Sequence, residues 1–200
     1  MFIQVITGKT SDPDAFVARG ESWEAEIRPG AKGFLGSTGG VTDDGRFIVV
    51  ARFDSPESAQ ANSDRPEQGV WWAETEKVVD GVEFKNSTDI VTLLGGGSDA
   101  AGFVQVMRGR VTDAAKLAEL RSDVPTMEKV FGSARPDVIG ETIALHDDGT
   151  YTDVVYFTSQ AEARANETKE LPAEAQAMFE ALMSAVAVDE YLDITDPVLR

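Results

Sequence analysis

The chain has 200 residues, of which 42% are hydrophobic and 26% charged, a composition typical of a globular protein and too apolar for a disordered one. Its formal net charge of −17 disfavours nucleic acid and anionic membrane surfaces as partners, because both need clusters of Lys and Arg. The absence of cysteine excludes disulfides and thiolate chemistry, and no apolar run approaches the ~20 residues of a membrane helix. An acidic cytoplasmic protein is therefore expected.

The predicted elements form two similar series, because Asp43–Asn62 returns as Asp147–Asn166 at a shift of 104 positions. In chain order, the first series is predicted as strand Phe2–Thr7, a helix from Asp14 to the stop at Pro29-Gly30, strand Phe34–Gly39, strand Arg46–Phe53, a helix from Ser55-Pro56, a helical segment Glu67–Val79 and strand Asn86–Leu94.

The second series repeats this order with three extra residues between its first helix and second strand. Its elements are predicted as strand Phe103–Arg108, a helix carrying Leu117 to Met127, strand Val138–Ala144, strand Thr150–Phe157, a helix after Ser159, a helical segment Ala173–Ala187 and strand Glu190–Thr195. Pro125 is expected to bend the first of these helices. Asp-Asp-Gly at 43–45 and 147–149 predicts hairpin turns.

Each series is β-α-β-β-α-β, the order of a ferredoxin-like unit. The predicted domains are residues 1–94, a Gly-rich flexible linker at 95–101, and residues 102–200. Strand Arg46–Phe53 is apolar on both faces, which predicts that the face of its sheet away from the helices is covered. The second copy is the expected cover. The predicted fold class is α+β, an intramolecular pseudo-dimeric barrel that is a monomer or associates as a homodimer.

Few residues suggest metal or nucleotide chemistry. His146 is the only histidine, so a Zn site with three nitrogen or sulfur ligands is excluded. It precedes a hairpin turn, where a solvent-exposed or hairpin role is expected; a general base and a haem ligand are the alternatives. Gly95-Gly96-Gly97 precedes a strand, whereas the glycine-rich loop of a dinucleotide or P-loop site follows a strand and opens a helix. Neither kind of site is therefore expected here. No cofactor is expected.

Asn62 and Asn166 occupy matching helical positions, although Asn is a poor helix former. Each could cap or end a helix, or its amide could stabilise an oxyanion in a pocket. Trp71 and Trp72 point about 100° apart on a helix, so one is expected to pack in the core and the other to line a cavity or interface. Arg52 matches Tyr156; a ligand acid, an acidic neighbour and solvent are the alternatives for its charge.

The segments Phe53–Ala59 and Asn62–Trp72 resemble the dimeric α/β-barrel proteins of the antibiotic-biosynthesis-monooxygenase type. The resemblance covers nearly the whole chain twice. It implies a pocket between sheet and helices in each unit, with Asn62 and Trp72 at pocket positions in the first unit and Asn166 and Gln176 in the second. The haem-degrading branch expects a Trp near the first of these positions and an axial His near the second, so it is disfavoured.

The resemblance thus implies a cofactor-independent monooxygenase acting on a small apolar, aromatic or polyketide-like ligand. The implied catalytic residues are Asn62, Trp72 and Arg52, and the implied ligand-binding residues are Asn166, Trp71, Tyr156 and Gln176. A non-catalytic binding or scaffold protein is the main alternative, and haem handling is a third.

Overall fold

The computed structural model describes residues 1–200, in which each predicted repeat has a sheet of its own. The elements in chain order are β1 (Phe2–Lys9), α1 (Pro13–Ser22), β2 (Phe34–Val41), β3 (Arg46–Phe53), α2 (Pro56–Ser63), α3 (Pro66–Thr75), β4 (Asp80–Ser87), β5 (Asp89–Leu93), β6 (Phe103–Val111), α4 (Ala114–Leu120), α5 (Val124–Ala134), β7 (Val138–Leu145), β8 (Thr150–Phe157), α6 (Gln160–Glu167), α7 (Ala173–Ala185), β9 (Val186–Ile194) and β10 (Val198–Leu199).

The chain divides into two units, Met1–Thr88 with Val198–Arg200 and Asp89–Pro197. The first unit holds a five-stranded antiparallel sheet in the order β10-β2-β3-β1-β4, and the second holds one in the order β5-β7-β8-β6-β9. In each sheet the four strands of one repeat, β2-β3-β1-β4 or β7-β8-β6-β9, have the ferredoxin-like order, and β10 or β5 adds a fifth strand at the edge. The α+β class and the two ferredoxin-like repeats are therefore as predicted.

Helix starts follow the capping signals in the sequence. Asp12 accepts a hydrogen bond from the Ala15 amide (2.9 Å), and Ser55 accepts one from the Ser58 amide (3.1 Å), each with proline at the next helical position. After α1 the chain continues through a π-helical turn at Trp23–Ile27 and a 3-10 turn at Arg28–Gly30. These turns bring the Trp23 side chain to the cavity described below.

The fourth strand of the first repeat differs from its prediction. Asn86–Leu94 is not one strand, because β4 ends at Ser87 and β5 pairs with β7 in the other sheet. The prediction was wrong because β4 is an edge strand with mostly exposed side chains, so the apolar run after it gave the stronger signal. Pro125 was expected to bend one helix, but two helices are present instead: α4 ends at Leu120, and α5 begins at Val124 with Pro125 in its first turn.

The strand alternation gives each sheet two faces. In β3 the side chains of Val49, Ala51 and Phe53 lie on the face towards α2, where Phe53 packs with Ala59. Ile48, Val50 and Arg52 lie on the other face. In the second unit the same arrangement places Phe103, Val155 and Phe157 around Ala163 of α6.

Candidate functional site

A cavity of about 360 Å³ lies in the first unit, within the range of small-molecule sites. Residues from its sheet and from α1, α2 and α3 line it, together with Trp23 of the π-helical turn. Seven of the lining residues are aromatic: Phe16, Trp23, Phe34, Phe53, Trp71, Trp72 and Phe84. All three tryptophans of the chain are among these residues. The lining therefore favours a flat, largely apolar ligand.

A hydrogen-bonded amide pair stands at the junction of α2 and α3. Asn62 Nδ2 donates to Gln68 Oε1 (3.2 Å), which also accepts from Trp23 Nε1 (2.9 Å). Arg65 Nη1 donates to Asn62 Oδ1 (3.0 Å) and to the Ile27 carbonyl (2.8 Å). Asn62, which is 7% exposed, is thereby fixed in orientation. A second N–H of its amide is left over from these bonds.

Trp71 and Trp72 both line the cavity, which corrects the expectation that only one would. Their ring centroids are 6.1 Å apart. Trp71 Nε1 donates to the Arg19 carbonyl (2.9 Å), which holds its ring against α1, while Trp72 packs edge-on against Phe84 at 5.3 Å. Both indole rings can line the same cavity because they lie on different walls of it, Trp71 beside α1 and Trp72 beside Phe84.

Two arginines supply the charge in the lining. Arg19 lies over the Trp71 ring (5.4 Å to the centroid) and donates to the Trp71 carbonyl (3.0 Å) and Thr75 Oγ1 (3.3 Å). Arg200, just beyond β10, pairs through its backbone with Ser37. Burial lowers the pKa of Arg200, and Glu24 opposes that shift. Neither arginine was singled out from the sequence.

Arg52, predicted to be catalytic, does not line the cavity. It lies on the opposite face of β3, because side chains alternate along a strand and Ala51 and Phe53 face the cavity. Its Nε is buried without a hydrogen-bond partner, and a side chain at Gly36 would meet its Nη2 at 2.6 Å. Of the predicted site residues, Asn62, Trp71 and Trp72 line the cavity.

The predicted ligand-binding residues of the second unit, Asn166, Tyr156 and Gln176, do not line this cavity. Asn166 donates to the Glu162 carbonyl (2.9 Å) and accepts from Lys169 Nζ (2.7 Å), so it stabilises the end of α6. Gln176 is exposed and bonds Glu180 one helical turn away (2.7 Å). Tyr156 is 1% exposed and lies on the face of β8 that carries Val154, opposite Val155.

Larger or ionisable side chains occupy the second unit's counterparts of the cavity wall. Ser37, Gly39 and Val49 correspond at the shift of 104 to Glu141, Ile143 and Asp153. Ile143 packs against Met127 and its neighbours. Burial raises the pKa of Glu141 to about 7 and that of Asp153 well above its usual value, and the Glu141 charge adds to the shift at Asp153.

His146 is buried, which corrects the expectation of solvent exposure. Its exposed fraction is 7%, and its Nε2 lies 3.0 Å from Thr152 Oγ1 across the β7–β8 hairpin. The hairpin role is the one that fits, and the imidazole does not line the cavity. The structure contains no group of three or more His, Cys, Asp or Glu side chains placed to hold a metal ion. No helix combines the length and apolar character needed to cross a membrane.

The sheets, helices and aromatic cavity define a ferredoxin-like α+β protein with a small-molecule pocket in its first unit. No family model matches the sequence, and no curated protein matches it. Solved structures do match. A candidate monooxygenase from Fusobacterium nucleatum has a TM-score of 0.76 at 8% identity, over 100% of this chain and 93% of the other.

A candidate monooxygenase from Lactobacillus acidophilus NCFM has a TM-score of 0.71 at 9% identity, over 100% of this chain and 98% of the other. An anthrone oxidase-like protein has a TM-score of 0.66 at 13% identity, over 99% and 92%. These likenesses extend over the whole chain. They confirm the predicted fold resemblance to dimeric α/β-barrel proteins of the monooxygenase type.

Proposed function

We propose that the chain is a cofactor-independent monooxygenase whose substrate is a fused-ring aromatic or polyketide-like molecule bound in the first unit's cavity. The observation that carries this proposal is an aromatic cavity with an oriented amide, Asn62, in its wall. The likeness to two candidate monooxygenases and an anthrone oxidase-like protein supports the reaction class. The same fold serves many activities, so the cavity carries the argument.

The chemistry needs no external reductant. A methylene carbon between two aryl rings that a carbonyl joins on their other side, as in an anthrone, loses a proton to give an enolate, and this proton ends in the water released later. The enolate passes electrons to O₂ and forms a carbon–oxygen bond, and loss of water leaves a carbonyl. The carbon loses four electrons in all, which reduces O₂ to one carbonyl oxygen and one water.

The residues of the cavity suit the first part of this sequence. An amide N–H of Asn62, fixed by Arg65 and Gln68, would donate to the enolate oxygen and stabilise the charge that forms there. Trp72 and Phe84 would hold the ring system in one plane. Packing of the ligand in the cavity would also exclude water from the enolate.

The first prediction concerns Asn62→Ala, assayed by oxygen consumption with 1,8-dihydroxyanthrone above its spontaneous oxidation. We expect a loss of about 100-fold in kcat, the usual effect of removing one oriented donor. Asn166→Ala is the matched control, since that side chain serves only the end of α6, and it should retain the wild-type rate. Incorporation of one atom from ¹⁸O₂ into the product distinguishes oxygenation from release of peroxide.

Equal rates for wild type and Asn62→Ala would contradict the assigned role of Asn62. If wild type binds the anthrone but consumes no oxygen above the background rate, the chain is a binding protein. One observation favours that second function: both ends of the Asn62 amide already have protein partners. Circular dichroism of Asn62→Ala is required alongside, because losing these bonds costs about 1–2 kcal/mol of stability.

A further inference from the structure

The cavity carries positive charge in a strongly acidic chain. Its only charged lining residues are Arg19 and Arg200, and no carboxylate lines it, although the net charge of the chain is −17. A largely apolar cavity does not need a cation for its own packing. We therefore expect the positive charge to affect which ligands the cavity binds.

The guanidinium of Arg19 is already bonded to other groups of the protein. Its guanidinium bonds Thr75 Oγ1 and the Trp71 carbonyl and lies over the Trp71 ring, so it holds α3 against α1. These bonds use the Nε and Nη2 donors of the guanidinium. Arg19 is thus a structural residue of the cavity wall.

Arg200 is differently placed. The guanidinium makes an ion pair with Glu24, whose Oε2 lies 3.7 Å from Arg200 Nε, but this distance is beyond hydrogen-bond length and the guanidinium makes no hydrogen bond to another protein group. Glu24 Oε2 is itself buried without a hydrogen-bond partner, and Glu24 Oε1 already pairs with Arg28. The Arg200 side chain is only 19% exposed.

The backbone holds Arg200 in this position. Its amide donates to the Ser37 carbonyl (2.9 Å), and its carbonyl accepts from the Ser37 amide (2.7 Å), which fixes the residue beside β2. The guanidinium then lies over Gly20 of α1, where an added Cβ would be 3.2 Å from both Nη1 and Nη2. A glycine at this point of the helix makes room for the group.

We propose that Arg200 binds an oxyanion carried by the ligand, a carboxylate or an ionised phenol, so that the cavity selects anionic aromatic molecules over neutral ones of the same shape. A largely buried guanidinium without hydrogen bonds is unfavourable, and a ligand oxyanion would provide the bidentate partner that suits its planar fork. The proposal rests on the proposed function only in taking this cavity as the substrate site.

The test compares 2-naphthoate with 2-naphthamide, which have the same ring system and nearly the same shape but differ in charge. Isothermal titration calorimetry under nitrogen measures binding without turnover. Wild type should bind the naphthoate at least about 10-fold more tightly than the naphthamide. Arg200→Gln should lose this preference by weakening only naphthoate binding, and Arg200→Lys should keep part of it, since a lysine retains the charge without the fork.

Arg110→Gln is the matched control. It removes the same charge from an exposed ion pair with Asp189 in the second unit, and it should retain the wild-type preference. Circular dichroism and thermal unfolding of Arg200→Gln should match wild type, because the bonds to Ser37 are made by the backbone. Equal binding of the two probes by wild type, a preserved preference in Arg200→Gln, or no binding of either probe at millimolar concentration would overturn the proposal.

The outcomes separate this inference from the monooxygenase. A preference for naphthoate that depends on Arg200, in a protein that consumes no oxygen with the anthrone, supports the anion site and removes the enzyme. Oxygen consumption without such a preference supports the enzyme and removes the anion site.

Discussion

Single residues distinguish the cavity of the first unit from the matching region of the second. Ala51 and Gly39 leave space in the first unit where Val155 and Ile143 fill it in the second. The asparagines show the same divergence, since Asn62 bonds side chains at the cavity and Asn166 bonds the backbone of its own helix. The duplicated sequence predicts similar backbones, but the side chains at matching positions differ in size, and this difference affects the space between sheet and helices.

The carboxyl pair of the second unit gives a prediction at the same scale. Glu141 and Asp153 are on adjacent strands, and Asp153 Oδ1 is buried without a hydrogen-bond partner. Both pKa values are raised in the folded state, chiefly by burial. Below their unfolded pKa values both groups are protonated in the folded and the unfolded state, so they do not affect folding stability. As the pH rises through the window from 4.5 to about 7, the raised pKa of Glu141 lowers folding stability, and the raised pKa of Asp153 acts in the same direction.

Asp153→Asn should therefore stabilise the protein at pH 8 and have little effect at pH 3, because the amide has no proton to lose. The difference in unfolding free energy between Asp153→Asn and wild type should accordingly grow as the pH rises. Urea unfolding at the two pH values measures it. Asp147→Asn, at an exposed turn position, is the control and should be neutral at both. A destabilised Asp153→Asn at pH 8 would show that the folded pair is ionised.

At the scale of elements, the sequence predicts strand order better than strand ends. The strands were expected to stop at Gly8 and Gly109, but β1 and β6 run through these glycines. Each glycine lies where the register with the neighbouring edge strand shifts. Added Cβ atoms would be 2.8 Å from the Asp80 carbonyl oxygen and 1.9 Å from that of Ala187. Glycine here allows close approach of two strands at a bulge.

Gly109→Ala should accordingly destabilise the protein by about 2–3 kcal/mol, because the methyl group meets backbone that cannot move freely. Gly69→Ala is the matched control. Gly69 lies inside α3 with nothing within 4 Å of an added Cβ, so alanine there should add about 0.5–1 kcal/mol through helix propensity. Chemical denaturation followed by circular dichroism measures both. A stable Gly109→Ala would mean that the bulge can relax at low cost.

The cavity residues could be predicted from the sequence only in part, because the position of some depends on strand pairing between distant parts of the chain. Asn62 and Trp72 were found because they fall at the pocket positions that the family resemblance implies, and Trp71 because it is adjacent to Trp72. Arg200 gave no local signal, since its place depends on β10 pairing with β2 from the far end of the sequence. Arg52 was selected for its charge, but the alternation of β3 turns it to the other face.

At the scale of the whole molecule, the net charge of −17 surrounds a cavity whose charged residues are cations. An anionic ligand must approach through a repulsive field before it reaches Arg200. Salt screens that long-range field more than it screens a partly buried pair.

The affinity for 2-naphthoate should therefore rise about 2-fold between roughly 20 mM and 200 mM NaCl, as the Debye length falls from ~20 Å to ~7 Å. The affinity for 2-naphthamide should stay constant, which makes the neutral probe the internal control. Calorimetric titration at three salt concentrations provides the measurement. A decrease for naphthoate would show that attraction by the cavity arginines dominates over the field of the whole chain.

The placement of the tryptophans has a practical consequence. Trp23, Trp71 and Trp72 are the only indoles in the chain, and all of them line one cavity while the second unit has none. Light absorbed near 295 nm therefore excites only this part of the molecule. A change in emission when a compound is added reports occupancy there, so unlabelled native protein can be screened directly for its natural ligand.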